Sequence, residues 1–216
     1  MNDAVSQVRP WVAFDLDGTL TRQETLAHFL YYSLGPWRAS RLLLRSLPDL
    51  LAYGLGRQSN AQTKERVLRR CLGGQDYALV EEQGRRFAQQ GLSPLLLAPV
   101  WQRFLAHRQR GDRLVLVTAT LGVYARPWAL AVGFEAVIAT ELERDTNDRV
   151  TGRLLGPNCF GPEKARRLQT ELQIASLDYA YGNSRGDREM LALARHPVCI
   201  CKANGYGRDL SDWPGA

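Results

Sequence analysis

The sequence predicts an α/β fold: a mostly parallel sheet flanked by helices, with a helical insertion after the first strand. Three observations carry this expectation. Short apolar runs rich in branched and aromatic residues recur at 11–14 (WVAF), 114–117 (LVLV), 136–139 (AVIA), 178–181 (DYAY) and 198–201 (VCIC). Helix-length patterns fall between the later runs, and strands that alternate with helices build parallel sheets. The stretch from residue 23 to residue 95 breaks the alternation, with helix-period segments and no convincing strand.

Taken in order, WVAF reads as the first strand and runs directly into Asp15. The insertion holds segments of helical period at 24–34, 37–46, 49–55, 60–71 and 76–90. Gly35-Pro36, Pro48, Gly54, Gly56, Gly73-Gly74 and Ser93-Pro94 punctuate the joints. The division expected is therefore a core of residues 1–22 and 94–216 and a helical unit of residues 23–93. Helices are expected at 97–110, 121–132, 162–173 and 186–195. Residues 143–154, with Thr146, Asn147 and Asp148 as turn formers, read as a small hairpin.

The chain has 216 residues and 45% hydrophobic content, enough for one such domain with an insertion around a proper core. Its four cysteines form no Cys-x-x-Cys pair and are too scattered for a disulfide framework, which points to a reducing cytoplasm. Cys199 and Cys201 alternate within one expected strand, face one side and read as packing residues. The first residues lack a basic and then apolar leader, and no run reaches the roughly 18 apolar residues of a spanning helix. A protein without an export signal is expected. Most of the net charge of +6 lies in residues 22–93, where 11 Lys/Arg stand against 6 Asp/Glu, so that segment favours an anionic partner. No aromatic-basic motif supports nucleic acid as that partner.

Ligands of open parallel sheets bind beyond the carboxyl ends of the strands. Three expected strands end there in reactive groups: Asp15, Thr118 and Asn183. In "DLDGT" the carboxylates of Asp15 and Asp17 are two residues apart, so extended backbone points both the same way, and Gly18 permits an immediate turn. Such a pair repels unless a cation relieves it, and Mg2+ prefers such oxygens. Lys164 follows Gly161-Pro162-Glu163, a good helix start, and places a cation where the helix dipole already favours an anion. His28, His107 and His196 share no ligand spacing. Ser-His-Asp, Walker and dinucleotide-binding signatures are absent.

Together, "FDLDGTL" at 14–20, Thr118 in "LVLVTAT", Lys164 in "CFGPEKARR" and "YGNSRGDREML" at 181–191 resemble the four ordered motifs of haloacid dehalogenase superfamily phosphatases. The likeness covers essentially the whole core. The insertion resembles the helical cap of subfamily IB, the branch that includes phosphoserine phosphatase and a class of phosphatidylglycerophosphatase. The resemblance implies a Rossmann-like core with a C1-type cap and a Mg2+-dependent phosphomonoesterase. Asp15 would be the nucleophile, Asp17 the acid and base, and Thr118, Ala119 and Lys164 the phosphate-binding set. Asp15, Asp17, Asn183 and Asp187 would hold Mg2+, with Asn183 standing where the family usually carries an acid. Asp187 would supply an outer charge or steady Lys164.

Glu24 lies where phosphoserine phosphatases carry the acid that engages the substrate's amino group, although residues 56–72 lack the aromatic and arginine set of that cap. Against a phosphoserine substrate stands the segment 29–57. There Arg38, Arg41 and Arg45 recur beside Leu42, Leu43, Leu44 and Leu47, as if to lie on an anionic membrane surface. Ordinary packing of cap helices would account for the same leucines. The expected substrate is a small or lipid-linked phosphate monoester. The alternatives are a phosphoserine-type amino-acid phosphatase and a non-catalytic phosphoryl-ligand binder.

Overall fold

A computed structural model describes residues 9–200 and the backbone of residues 207–209. Strand β1 (Trp11–Phe14) lies in the middle of a seven-stranded sheet, and its Val12, Ala13 and Phe14 are fully buried. The other strands are β2 (Arg113–Leu121), β3 (Ala136–Arg144), β4 (Val150–Leu155), β5 (Leu177–Gly182), β6 (Ala194–Ile200) and β7 (Gly207–Asp209), in the order β4-β3-β2-β1-β5-β6-β7. From β3 to β6 neighbours are parallel, while β4 and β7 close the two edges antiparallel. This is the expected α/β sheet, with β3 and β4 forming the predicted hairpin. Cys201, assigned to the last strand with Cys199, lies outside the described residues.

The register fixes what shares an edge. Phe14 is level with Leu116 of β2 and Tyr181 of β5, so Asp15 and Asn183 leave β1 and β5 at nearly the height of Thr118, which lies inside β2 rather than at its expected end because pairing with β3 carries that strand on to Leu121. Phe14 also stacks on Tyr181 with centroids 4.4 Å apart and meets Phe104 and Phe134 edge-on. Full burial of such a ring is worth roughly 1.5–3 kcal/mol, so the strand that carries Asp15 is firmly anchored.

Five helices intervene between β1 and β2: α1 (Thr25–Leu34), α2 (Pro36–Leu44), α3 (Leu47–Gly54), α4 (Asn60–Cys71) and α5 (Tyr77–Gln90). Local chemistry starts the last two. Ser59 and Gln62 form a reciprocal capping box on α4, and Asp76 accepts the Ala78 and Leu79 N–H groups at the head of α5. The turn between these helices is sewn to the β3–β4 hairpin: Gly74 N–H donates to the Val150 carbonyl at 2.8 Å, Val150 N–H to Gln75, and Tyr77 N–H to Asp148. At Gly152 (φ +82°) a Cβ would stand 2.3 Å from Arg69 Cα, so only glycine lets α4 lie this close to β4. The insertion is thereby held over the carboxyl edge of the sheet.

Helices α6 (Ala98–Arg110), α7 (Gly122–Val132), α8 (Pro162–Glu171) and α9 (Arg188–Leu191) cover the sheet. The predicted helix at 186–195 is corrected to a single 3-10 turn, Arg185–Asp187, and the one-turn α9. Parallel pairing with β5 draws Ala194–Pro197 into β6, and hydrogen bonding across the sheet outweighs the local helical pattern. Among the described residues no helix is long and apolar enough to cross a membrane, and Cys71, Cys159 and Cys199 are buried.

Candidate active site

The turn after β1 builds the site. Asp15 and Asp17 both have extended backbone, and Gly18 at φ +76° reverses the chain. A Cβ at Gly18 would lie 2.1 Å from Asn183 Nδ2, so glycine is needed both for the turn and for the approach of the loop after β5. Asp15, 5% exposed, donates its N–H to the Tyr181 carbonyl at 3.0 Å. Its Oδ1 accepts from Lys164 Nζ at 2.6 Å, and its Oδ2 from the Thr19 hydroxyl at 3.0 Å. Asp17 accepts the Thr25 N–H at 2.8 Å on one oxygen and a close bond from the Thr120 hydroxyl on the other. The Thr118 hydroxyl accepts the Thr120 N–H at 3.1 Å, which leaves its own hydrogen to donate.

Lys164 lies in the first turn of α8, where Gly161 (φ +64°) and Pro162 start the helix. Its ammonium, buried completely, bridges Asp15 and Asp187 at 2.6 Å each. Burial works against this charge, but the two carboxylates outweigh it and hold the lysine pKa above its ordinary value. Asp15 moves the other way from an ordinary acid. Burial first, and then repulsion from Asp187, raise it to about 7 against the pull of Lys164. Asp187 is as deeply buried, yet Lys164 and the bonds from Ser184 and Asn183 keep its pKa below the ordinary value.

All eight residues singled out in the sequence, Asp15, Asp17, Glu24, Thr118, Ala119, Lys164, Asn183 and Asp187, line one cavity of about 740 Å3 between the sheet edge and the insertion. None of the three histidines lines it. Asp187 differs from the other expected metal ligands. Its Oδ2 already accepts from Asn183 N–H, Ser184 N–H and the Ser184 hydroxyl, and its Oδ1 from Lys164. Its lone pairs are largely spent, so its charge acts through Lys164 and through the loop it ties together.

Asp15, Asp17 and the Asn183 amide remain as an oxygen set suited to a hard divalent cation. Among the described residues no group of three or more His, Cys, Asp or Glu side chains is placed to hold a metal ion.

Sequence reasoning missed several members. Thr19 and Thr120 orient the two acids through their hydroxyls and Thr25 through its main-chain N–H, and neither kind of donor near an acid gives much warning of that role. Lys64 on α4 reaches in from the insertion. Its Nζ donates to the Ala119 carbonyl at 2.6 Å and to Asn158 Oδ1 at 2.9 Å. No periodic signal distinguishes Lys64 from a surface lysine, because its partners are 55 and 94 residues away.

Fold and site together define an α/β enzyme with a buried Asp–Lys–Asp centre under a helical roof. The chain belongs to the haloacid dehalogenase-like hydrolases, whose family model matches residues 12–192. Protein CicA of Caulobacter vibrioides is 37% identical over 188 residues, covering 85% of this chain and 82% of CicA. A crystal structure of a protein of unknown function from Bordetella pertussis Tohama I superposes with a TM-score of 0.73 at 23% identity, covering 88% of this chain and 89% of that one. A substrate-bound phosphoserine phosphatase shares the fold with a TM-score of 0.61 at 15% identity over 88% of this chain and 84% of its own.

Proposed function

We propose that the protein is a Mg2+-dependent phosphomonoester hydrolase acting through an aspartyl-phosphate on Asp15, with residues 23–93 as its cap. The observation that carries this reading is the pairing of Asp15, held by Lys164 and Thr19, with a second acid, Asp17, in the same cavity. An Asp15 oxygen attacks phosphorus as the bond from phosphorus to the leaving oxygen breaks, and Asp17 gives that oxygen its proton. Asp17 then takes a proton from water, whose oxygen attacks the phosphorus and returns Asp15 as a carboxylate. The Thr25 N–H and Thr120 hydroxyl aim Asp17 for both transfers. Thr118, the Ala119 N–H and Lys164 receive the phosphoryl oxygens. Asp15, Asp17 and Asn183 would hold Mg2+, which would supply positive charge to offset the repulsion among the carboxylates and the incoming phosphate. The family and the phosphatase that shares the fold support the reading.

The test is hydrolysis of p-nitrophenyl phosphate with Mg2+, against Asp15→Asn. Turnover that disappears in the variant is expected, and equal rates in the two proteins would remove the enzyme claim in favour of a phosphoryl-ligand binder.

A lipid-linked substrate is favoured by the cap. Its contribution to the cavity is mainly apolar: Leu26, Leu30, Leu43, Leu50, Tyr53 and Val67. Leu42 and Leu43 pack against the core, as ordinary cap packing would have it. Trp37, Leu44, Leu51 and Leu55 do not, being 89%, 63%, 66% and 68% exposed. Helices α2 and α3 thus present apolar side chains both to the cavity and to solvent, with Arg38, Arg41 and Arg45 exposed alongside. That combination suits peripheral contact with an anionic bilayer at the cytoplasmic face. A phosphoserine-type substrate would instead use Glu24 at the cavity wall. Anionic vesicles should sediment the protein, and Leu47→Asp/Leu51→Asp should abolish this while sparing p-nitrophenyl phosphate. Equal sedimentation with and without vesicles would exclude the membrane contact.

A further inference from the structure

Lys64 of α4 reaches from the insertion into the core, where its charged head is bonded beside Thr118 and Thr120. Its ammonium has three N–H donors, and two are used, on the Ala119 carbonyl at 2.6 Å and on Asn158 Oδ1 at 2.9 Å. Its side chain lines the cavity. Burial lowers its pKa to about 8, while Asp17 and Glu24 favour its charge.

The protein's own charges in the cavity set the context for Lys64. Four carboxylates line it, Asp15, Asp17, Glu24 and Asp187, against Lys64, Lys164 and the exposed Arg185. Lys164 already gives two of its donors to Asp15 and Asp187. Each ammonium thus keeps one donor for an entering phosphate, Lys164 from the core and Lys64 from the insertion.

We propose that Lys64 is a substrate-contacting residue: its third N–H binds an oxygen of the phosphate ester, while the other two hold the Ala119 peptide and Asn158 in place. The assignment rests on the phosphomonoesterase reading. It also gives the cap a part in the phosphate site itself. Asn158 bonds Asn60 of α4 through its Nδ2 and Thr140 of β3 through its Oδ1. Lys64 therefore joins the cap to the core at the point where the ester must bind.

Inorganic phosphate titrated calorimetrically into the Mg2+-loaded protein tests the contact without requiring turnover. Lys64→Met should weaken phosphate at least tenfold and raise KM for p-nitrophenyl phosphate by a similar factor, with kcat changed less than about threefold. Lys64→Arg, which keeps the charge, should stay within about threefold of the parent. It also decides the matter if Lys64→Met does not fold, since tenfold weaker phosphate binding by a folded Lys64→Gln, recovered in Lys64→Arg, is then required. Asn158→Ala removes the strut but leaves the ammonium, so it should lower Tm with little loss of phosphate. The proposal is overturned if Lys64→Met binds phosphate as the parent does, or if Asn158→Ala weakens phosphate equally. A parent that binds phosphate but releases no p-nitrophenol refutes the hydrolase reading alone, and the binding ratios still decide Lys64. A parent that binds no phosphate refutes both.

Discussion

Asp15→Asn should make the metal-free protein more stable at pH 8 while abolishing its chemistry. Asp15 is raised from 3.8 to about 7 by burial and by Asp187. A raised acid pKa means that between pH 3.8 and 7 the folded state keeps a proton the unfolded chain has lost. Stability therefore falls as pH rises through that window, and the full penalty is present above it. At about 1.4 kcal/mol per pKa unit the penalty reaches about 4 kcal/mol at pH 8 and is about 1–2 kcal/mol at pH 5. Asparagine is neutral in both states and escapes it, but one amide cannot serve both Lys164 and Thr19 as well as the carboxylate does. The expected net gain at pH 8 is about 2–4 kcal/mol, roughly 5–10 °C in thermal midpoint for a domain of this size. Thermal unfolding in EDTA at pH 5 and pH 8 measures it, and the gain should shrink at the lower pH. A variant that is no more stable than the parent at pH 8 would refute the view that Asp15 is held ionised at a cost. Adding Mg2+ should then raise the parent's midpoint more than the variant's, because binding to the folded state alone stabilises it.

Three other outcomes follow from the same geometry. Asn183→Asp restores an acidic oxygen beside the turn and should lower the Mg2+ concentration giving half-maximal rate; an unchanged or higher requirement would place Asn183 away from the ion. Asp187→Asn should cost about 3 kcal/mol at pH 7, because it leaves Lys164 with one carboxylate and weakens three bonds to the loop. Asp187 has a depressed pKa, so the stability it contributes is present above pH 3.8 and lost as pH falls through its folded value; acid titration of stability should show that limb in the parent and not in the variant. Gly152→Ala forces a Cβ against the Arg69 backbone at φ +82° and should cost about 2–3 kcal/mol in urea denaturation, with loss of activity as α4 and Lys64 shift; an unchanged midpoint would show that the cap is not held there.

Much of this was legible in the linear pattern, for identifiable reasons. Largely apolar runs of four residues located the five parallel strands, because a strand covered on both faces is mostly apolar. Asp15, Thr118 and Asn183 stood out because each follows such a run, and parallel strands deliver their ends to one edge. The segment 186–195 misled because "REMLALAR" has a helical pattern while its second half is bonded across to β5. The leucines of 42–55 were ambiguous for a related reason. Periodicity places residues on a face, but only packing says whether the face is covered, and Leu43 is while Leu44 and Leu51 are not.

By itself the sequence determined the α/β class, the helical insertion, the order of the strand-end groups and the two acids that share a turn. All of these are set by short-range geometry, in which residue spacing decides direction. The tertiary structure alone decided that Lys164 sits between Asp15 and Asp187, that Asp187 has spent its oxygens on the loop, and that Lys64 enters the site from the helical insertion. Those contacts span from 3 to 149 residues, and the long ones exist only because the sheet register and the Gly152 approach bring their elements together. No local pattern encodes a distance that packing alone closes.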